Sequence, residues 1–109
     1  MNPEELRSEI RKIFGEQIVF NKEFDRYAKS IKHLDVSLVE WCEQLRDREI
    51  DPLRVPNTPG SLVFIKKIGS SNRCIVIKIV NGEFKEIHLA DHAYYDRLRK
   101  KLGLKKDSI

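Results

Sequence analysis

Leu62-Val63-Phe64-Ile65-Lys66-Lys67-Ile68-Gly69-Ser70-Ser71-Asn72-Arg73-Cys74-Ile75-Val76-Ile77-Lys78-Ile79-Val80-Asn81-Gly82-Glu83-Phe84-Lys85-Glu86-Ile87-His88-Leu89 is a set of three β-like runs separated by two turns. β-branched and aromatic residues fill each run, as a pleated, half-buried surface favours. Gly69-Ser70-Ser71-Asn72 reads as the first turn and Asn81-Gly82 as the second. Asn-Gly is the strongest short hairpin signal in the chain, because both central positions of a type I′ turn need positive φ. The stretch predicts an antiparallel meander over 62–68, 74–80 and 84–89. Side chains alternate along a strand, so Ile75, Ile77 and Ile79 share one side of the middle strand and Cys74, Val76 and Lys78 the other. The isoleucine side is expected to be the better buried, with the preceding helices as its cover.

Moving towards the N-terminus, residues 51–60 contain Pro52, Pro56, Pro59 and Asn57 and suit neither a continuous helix nor a central strand. They predict a proline-rich connecting loop. Before it the apolar period changes to 3.6. Asn2-Pro3-Glu4-Glu5 is a helix start, with Asn2 as N-cap and Glu5 completing a capping box. Leu6, Ile10, Ile13 and Phe14 then form one stripe, and Gly15 stops the helix. Gln17–Phe20 is a short β-like run. Asn21 is placed to cap a second helix carrying Phe24, Tyr27, Ala28, Ile31 and Leu34, with His33 near its end beside the helix dipole. Asp35 is placed to cap a third, with Leu38, Trp41, Cys42 and Leu45 on one face. Helices two and three are expected to pair as a hairpin. Beyond the meander, a last helix starting at Asp91 or His92 runs through Tyr95, Leu98 and Leu102 to a cap at Gly103, followed by a basic tail.

These elements describe a single α+β domain over residues 1–109, in which residues 1–15 supply an additional N-terminal helix. A length of 109 residues allows one modest core. With 40% hydrophobic and 35% charged residues the composition is that of a globular chain with a heavily solvated surface. No apolar run approaches the roughly 20 residues of a membrane span. The start Met1-Asn2-Pro3-Glu4-Glu5 lacks the cationic and apolar character of a signal peptide, so a cytoplasmic location with no membrane partner is expected. Cys42 and Cys74 have no CxxC spacing and no histidine at ligand spacing, and read as small buried apolar residues. No metal cluster and no cofactor motif stands out.

The net charge of +4 is unevenly placed. Residues 1–50 carry 9 basic and 11 acidic side chains, whereas residues 51–109 carry 12 and 6. A positive field concentrated in one half suits a polyanionic partner better than scattered lysines do.

The order of helix hairpin, proline-rich loop, three-stranded meander and short basic C-terminal segment resembles the RelE/ParE superfamily of small toxins. Lys66-Lys67-Ile68-Gly69-x-x-Asn72-Arg73-x-Ile75-Val76 is similar to that family's basic strand, glycine turn, and arginine opening the next strand. Ile87-His88-Leu89-Ala90-Asp91-His92-Ala93-Tyr94-Tyr95 is similar to its last strand running into a His/Arg-plus-Tyr segment. The similarity covers roughly residues 17–102, with Gln17–Phe20 as the family's first strand. Two features depart from it: the helix from Pro3 to Phe14 is extra, and Asp91-His92-Ala93 stands where many members carry arginine.

The resemblance implies a small RelE-like fold and a toxin neutralised by a separately encoded antitoxin. It implies cleavage of mRNA at the ribosomal A site, the ribose 2′-hydroxyl attacking the adjacent phosphate without a metal. Such chemistry needs a proton acceptor, cationic donors on the phosphate and a proton donor for the leaving oxygen. Arg73 is the first candidate for the phosphate, since a guanidinium can grip it bidentately. Lys66 and Lys67 alternate faces, so one of them at most joins it, and Lys67 is the catalytic candidate. His92 supplies an imidazole for proton transfer, with Tyr94 or Tyr95 beside it, Tyr95 being preferred. His88, alternating with Ile87 and Leu89, is placed to share that face. Lys66, Lys78, Arg97, Lys100 and Lys101 are candidates for RNA binding. Together with Arg99, Lys105 and Lys106 the C-terminal cations form a docking surface for polyanions, six contacts giving a salt slope of roughly −4 to −5. Two other readings stay open: a ParE-like toxin that blocks a protein target such as gyrase, and a repurposed nucleic-acid-binding domain. Oligomeric state is not legible.

Overall fold

A computed structural model describes residues 1–105. The elements in order are α1 (Pro3–Phe14), β1 (Val19–Phe20), α2 (Phe24–Ser30), α3 (Leu34–Arg46), β2 (Leu53–Arg54), β3 (Ser61–Ile68), β4 (Asn72–Ile79), β5 (Phe84–Asp91) and α4 (His92–Leu102). The fold is α+β: a sheet of order β1-β5-β4-β3-β2, antiparallel except where β1 runs parallel to β5. N-terminal helices cover one face and the C-terminal helix the other. Among the described residues no helix is long and apolar enough to cross a membrane.

The meander follows the expected runs, and its middle strand is the centre of the molecule. Five consecutive residues, Arg73 to Ile77, are buried, as a strand covered on both faces requires. The isoleucine side is not the one the N-terminal helices cover. Cys74 and Val76 face α1 and α3, whereas Ile75 and Ile77 face Tyr95, Leu98 and Leu102 of α4, and Ile79 is partly exposed. Neighbouring strands decide this. Phe64 and Ile87 flank Val76 and Leu89 flanks Cys74, so the centre of that face is apolar across three strands. The isoleucine face also carries Lys67, Arg73 and His88, and only the narrower α4 covers it.

The first helix is part of the core. Its cap forms as read: the Asn2 side chain accepts from the Glu5 amide at 2.8 Å and the Asn2 amide donates to Glu5 at 3.2 Å. Leu6, Ile10 and Phe14 are buried, and the Phe14 ring stacks on Phe84 at 4.1 Å. Each such apolar side chain contributes about 1.5–3 kcal/mol. Helices two and three do not form the expected hairpin; α1 is the main neighbour of α3, because its stripe fills the space a hairpin partner would take.

Two expected caps and one helix end are also different. Asn21 does not cap α2 with its side chain. Its amide instead continues β1 as a strand would, donating to the Leu89 carbonyl at 3.0 Å and accepting from the Leu89 amide at 2.9 Å. Leu34 and His33 do not end the second helix: α2 stops at Ser30, and His33, at φ 57°, is the N-cap position of α3. Asp35 lies in the first turn of α3, where it accepts from the Met1 amino group at 2.7 Å. The second β-turn is shifted by one residue, its closing bond running from the Gly82 amide to the Ile79 carbonyl. Its central residues are Val80 and Asn81, and only Asn81 has positive φ, so it is not type I′. The proline-rich segment contributes the short edge strand β2 and the buried Val55, and Asn57 ties it to the end of α4 through the Lys101 and Leu102 carbonyls.

Cys42 and Cys74 are buried free thiols. Burial pushes the Cys42 thiol up to about 12 and raises that of Cys74 further from reactivity.

Candidate functional site

Arg73 is the second residue of β4, and its cross-strand partners are Lys67 on β3 and Ala90 on β5. Directly opposed residues point to one face, so Lys67 and Arg73 both lie on the α4 side. The turn before Asn72 delivers Arg73 into the sheet rather than to its rim, and the side chain is 6% exposed. Its Nη1 donates to the Asn72 carbonyl at 2.8 Å, while Nε is buried with no partner among the described residues. The guanidinium carbon lies 5.8 Å from the centre of the Tyr95 ring. Among the described residues neither Lys67 nor Arg73 has an acidic partner, and Lys67 is exposed.

Tyr95 is the hub of this set. It is buried by the helical spacing that also buries Leu98 and Leu102. Its hydroxyl is buried with no partner among the described residues. Burial raises the phenol's pKa, and the charges of Arg99 and Arg73 pull it back down. His92, whose amide donates to the Ser71 carbonyl at 2.8 Å, meets Tyr95 edge-on at 5.8 Å, with its Nδ1 3.2 Å from the Asp96 carboxylate. Arg73 and His92 thus both contact the Tyr95 ring, and this row of three side chains is flanked by the exposed Lys67, opposite Arg73 across the strands.

The remaining candidates separate. Lys66 pairs with Cys74 and lies on the opposite face of the sheet, as does Lys78, whose ammonium sits 5.6 Å over the Phe84 ring. Neither can reach the Arg73 row. Arg97, Lys100 and Lys101 lie on the exposed side of α4. Arg99 is tied down by Asp96 and the Leu104 carbonyl. Lys106 falls outside the described residues.

A second constellation lies on the other flank of α4. Glu86 and His88 are two residues apart on β5 and therefore share a face. Nε2 of His88 is 3.0 Å from Glu86 Oε1, and Nδ1 is 2.8 Å from the Tyr94 hydroxyl. His88 is 9% exposed, and Tyr94 carries the chain to the surface. Burial raises the Tyr94 phenol, as does the Glu86 charge, against a lowering by Arg97. Tyr94 there enters an open cleft between α2 and α4, about 380 Å³ in volume, with Lys22, Glu23, Arg26, Tyr27, Asp91 and Arg97. Guanidinium groups stack on both tyrosines, Arg26 over Tyr27 at 4.9 Å and Arg97 over Tyr94 at 5.9 Å. Asp91 caps α4 by accepting from the Tyr94 amide at 2.9 Å, and this bond, then those of Tyr27 and the charges of Arg97 and Arg26, lower its pKa. The Glu86/His88 spacing is visible in the sequence; the contribution of Lys22, Arg26 and Tyr27 depends on a tertiary contact that no local pattern signals. No group of three or more His, Cys, Asp or Glu among the described residues is arranged to hold a metal ion.

No family model, no curated protein and no solved structure matches the chain.

Proposed function

We propose that the chain is a RelE-like toxin that acts in the cytoplasm as a metal-independent endoribonuclease on ribosome-bound mRNA, and that a separately encoded antitoxin neutralises it. The observation that supports this best is Lys67 opposite Arg73, two cations without an acidic partner among the described residues, next to Tyr95 and His92. Like charges directly opposed across strands destabilise a sheet, and a buried guanidinium donor left unpaired costs more. A phosphate placed over this row would relieve the first of these costs. Lys67 then supplies exposed charge and Arg73 a fixed positive field behind it. His92, half-exposed and held by Asp96, exchanges the proton. Tyr95 holds His92 and Arg73 in register.

The test is growth arrest on induction. Lys67→Ala with His92→Ala removes two surface groups, and Arg73→Ala with His92→Ala removes the buried one, folding being checked by circular dichroism. Both pairs are expected to abolish an arrest that the parent chain causes. Full toxicity in both, with folding unchanged, contradicts this site and moves the reading to a ParE-like inhibitor of a protein target.

A further inference from the structure

The Glu86–His88–Tyr94 chain has a direction. A carboxylate oxygen only accepts, so a neutral His88 ring that meets Glu86 at 3.0 Å carries its proton on Nε2. Nδ1 is then a lone pair, and the bond of 2.8 Å to Tyr94 is donated by the phenol. With its only proton committed inward, the Tyr94 oxygen offers the cleft an acceptor alone. Around that acceptor stand three cations, two aromatic faces and two carboxylates: Arg26 on Tyr27, Arg97 on Tyr94, Lys22 at the rim, and Glu23 and Asp91. Arg26 is also paired with Glu23, at 3.1 Å. An adjoining hollow formed by Tyr94, Arg97, Leu98 and Lys101 extends the cleft along α4.

We propose that this groove is a track for single-stranded RNA, in which Arg26, Arg97 and Lys101 hold phosphates and the Tyr94 oxygen accepts from a ribose 2′-hydroxyl. Aromatic faces alternating with guanidinium groups suit stacked bases on a charged backbone. An acceptor-only contact selects a sugar that carries a donor, which deoxyribose lacks. His88 and Glu86 are positioning residues that act through Tyr94. The inference rests on RNA as the ligand, but it concerns binding and not cleavage, and it involves the opposite flank of α4 from the Arg73 row.

The experiment is fluorescence anisotropy of the full chain, without ribosomes, against one unstructured 12-nucleotide sequence made as RNA, as DNA and as 2′-O-methyl RNA. RNA is expected to bind about tenfold more tightly than both analogues, the worth of one hydrogen bond. Tyr94→Phe and His88→Phe are expected to bring RNA down to the analogues while leaving the analogues unchanged, which a merely structural role would not do. Arg26→Ala with Arg97→Ala is expected to weaken all three ligands and to reduce the salt slope by about 1.4. Equal binding of the three ligands by the parent chain overturns the proposal, as does a preference that survives Tyr94→Phe, or unchanged affinity in the double arginine variant. Absence of mRNA cleavage in cells would leave these affinities untouched, so the two readings fail separately.

Discussion

The guanidinium carbon of Arg73 and the ring of Tyr95 are 5.8 Å apart, and each side chain has a buried polar atom with no partner among the described residues: Nε of the arginine and the hydroxyl of the tyrosine. A buried group in this state costs about 1–3 kcal/mol. The row is therefore a place where the fold is less stable than it need be, which is common where charge is held ready for a ligand.

Tyr95→Phe removes one unpaired atom and keeps the ring against Arg73. Its urea midpoint is expected to equal or exceed that of the parent chain, by up to about 1 kcal/mol, whereas Tyr95→Ala, which opens a cavity beneath α4, should cost about 3–5 kcal/mol. A clear loss of stability in Tyr95→Phe would mean that the hydroxyl has a partner.

Lys67→Ala removes a like charge directly opposite Arg73. It is expected to raise the thermal midpoint slightly, in line with a cross-strand effect of about 0.2–1 kcal/mol. A lowered midpoint would show that Lys67 is compensated in the folded chain.

Asn21→Ala deletes both bonds to Leu89 and leaves two backbone groups of β5 without them. A cost of about 1–3 kcal/mol is expected, together with faster hydrogen exchange at the Leu89 amide. Unchanged exchange there would contradict the role of Asn21 as an extension of β1.

Asp91 titrates below the ordinary carboxylate value in the folded chain, first because of the Tyr94 amide and then because of Tyr27 and the nearby arginines. A depressed folded pKa contributes stability above the unfolded value of about 3.9 and loses it as pH falls through the folded value. Asp91→Asn retains a capping oxygen without the charge. The parent chain is expected to be the more stable of the two at pH 7, and the two should converge as pH drops below about 4. A gap that persists in acid would assign the difference to shape rather than to charge.

Much of this fold was legible because it is written locally. The Asn2/Glu5 box, the stripe of α1, the three runs of the meander and the cap at Asp91 each depend on residues a few positions apart. That Lys67 and not Lys66 joins Arg73 followed from alternation alone once the register was known. What could not be read is which helix covers which face of β4, because Phe64, Ile87 and Leu89 on flanking strands settle it. The burial of Arg73 depends on α4 docking over it, and the bond between His88 and Tyr94 joins a strand to a helix through a tertiary contact. Asn21 misled for a related reason: an amide that suits a helix cap suits a strand edge equally well, and Leu89 was close enough to claim it.

The measurement that bears most directly on the proposed activity is primer extension on cellular mRNAs after brief induction of the chain, with Arg73→Ala and the surface variant Lys67→Ala alongside. The account predicts new 5′ ends inside translated regions that disappear in both variants. Arrested growth with intact mRNA, or the same ends in both variants, would contradict it.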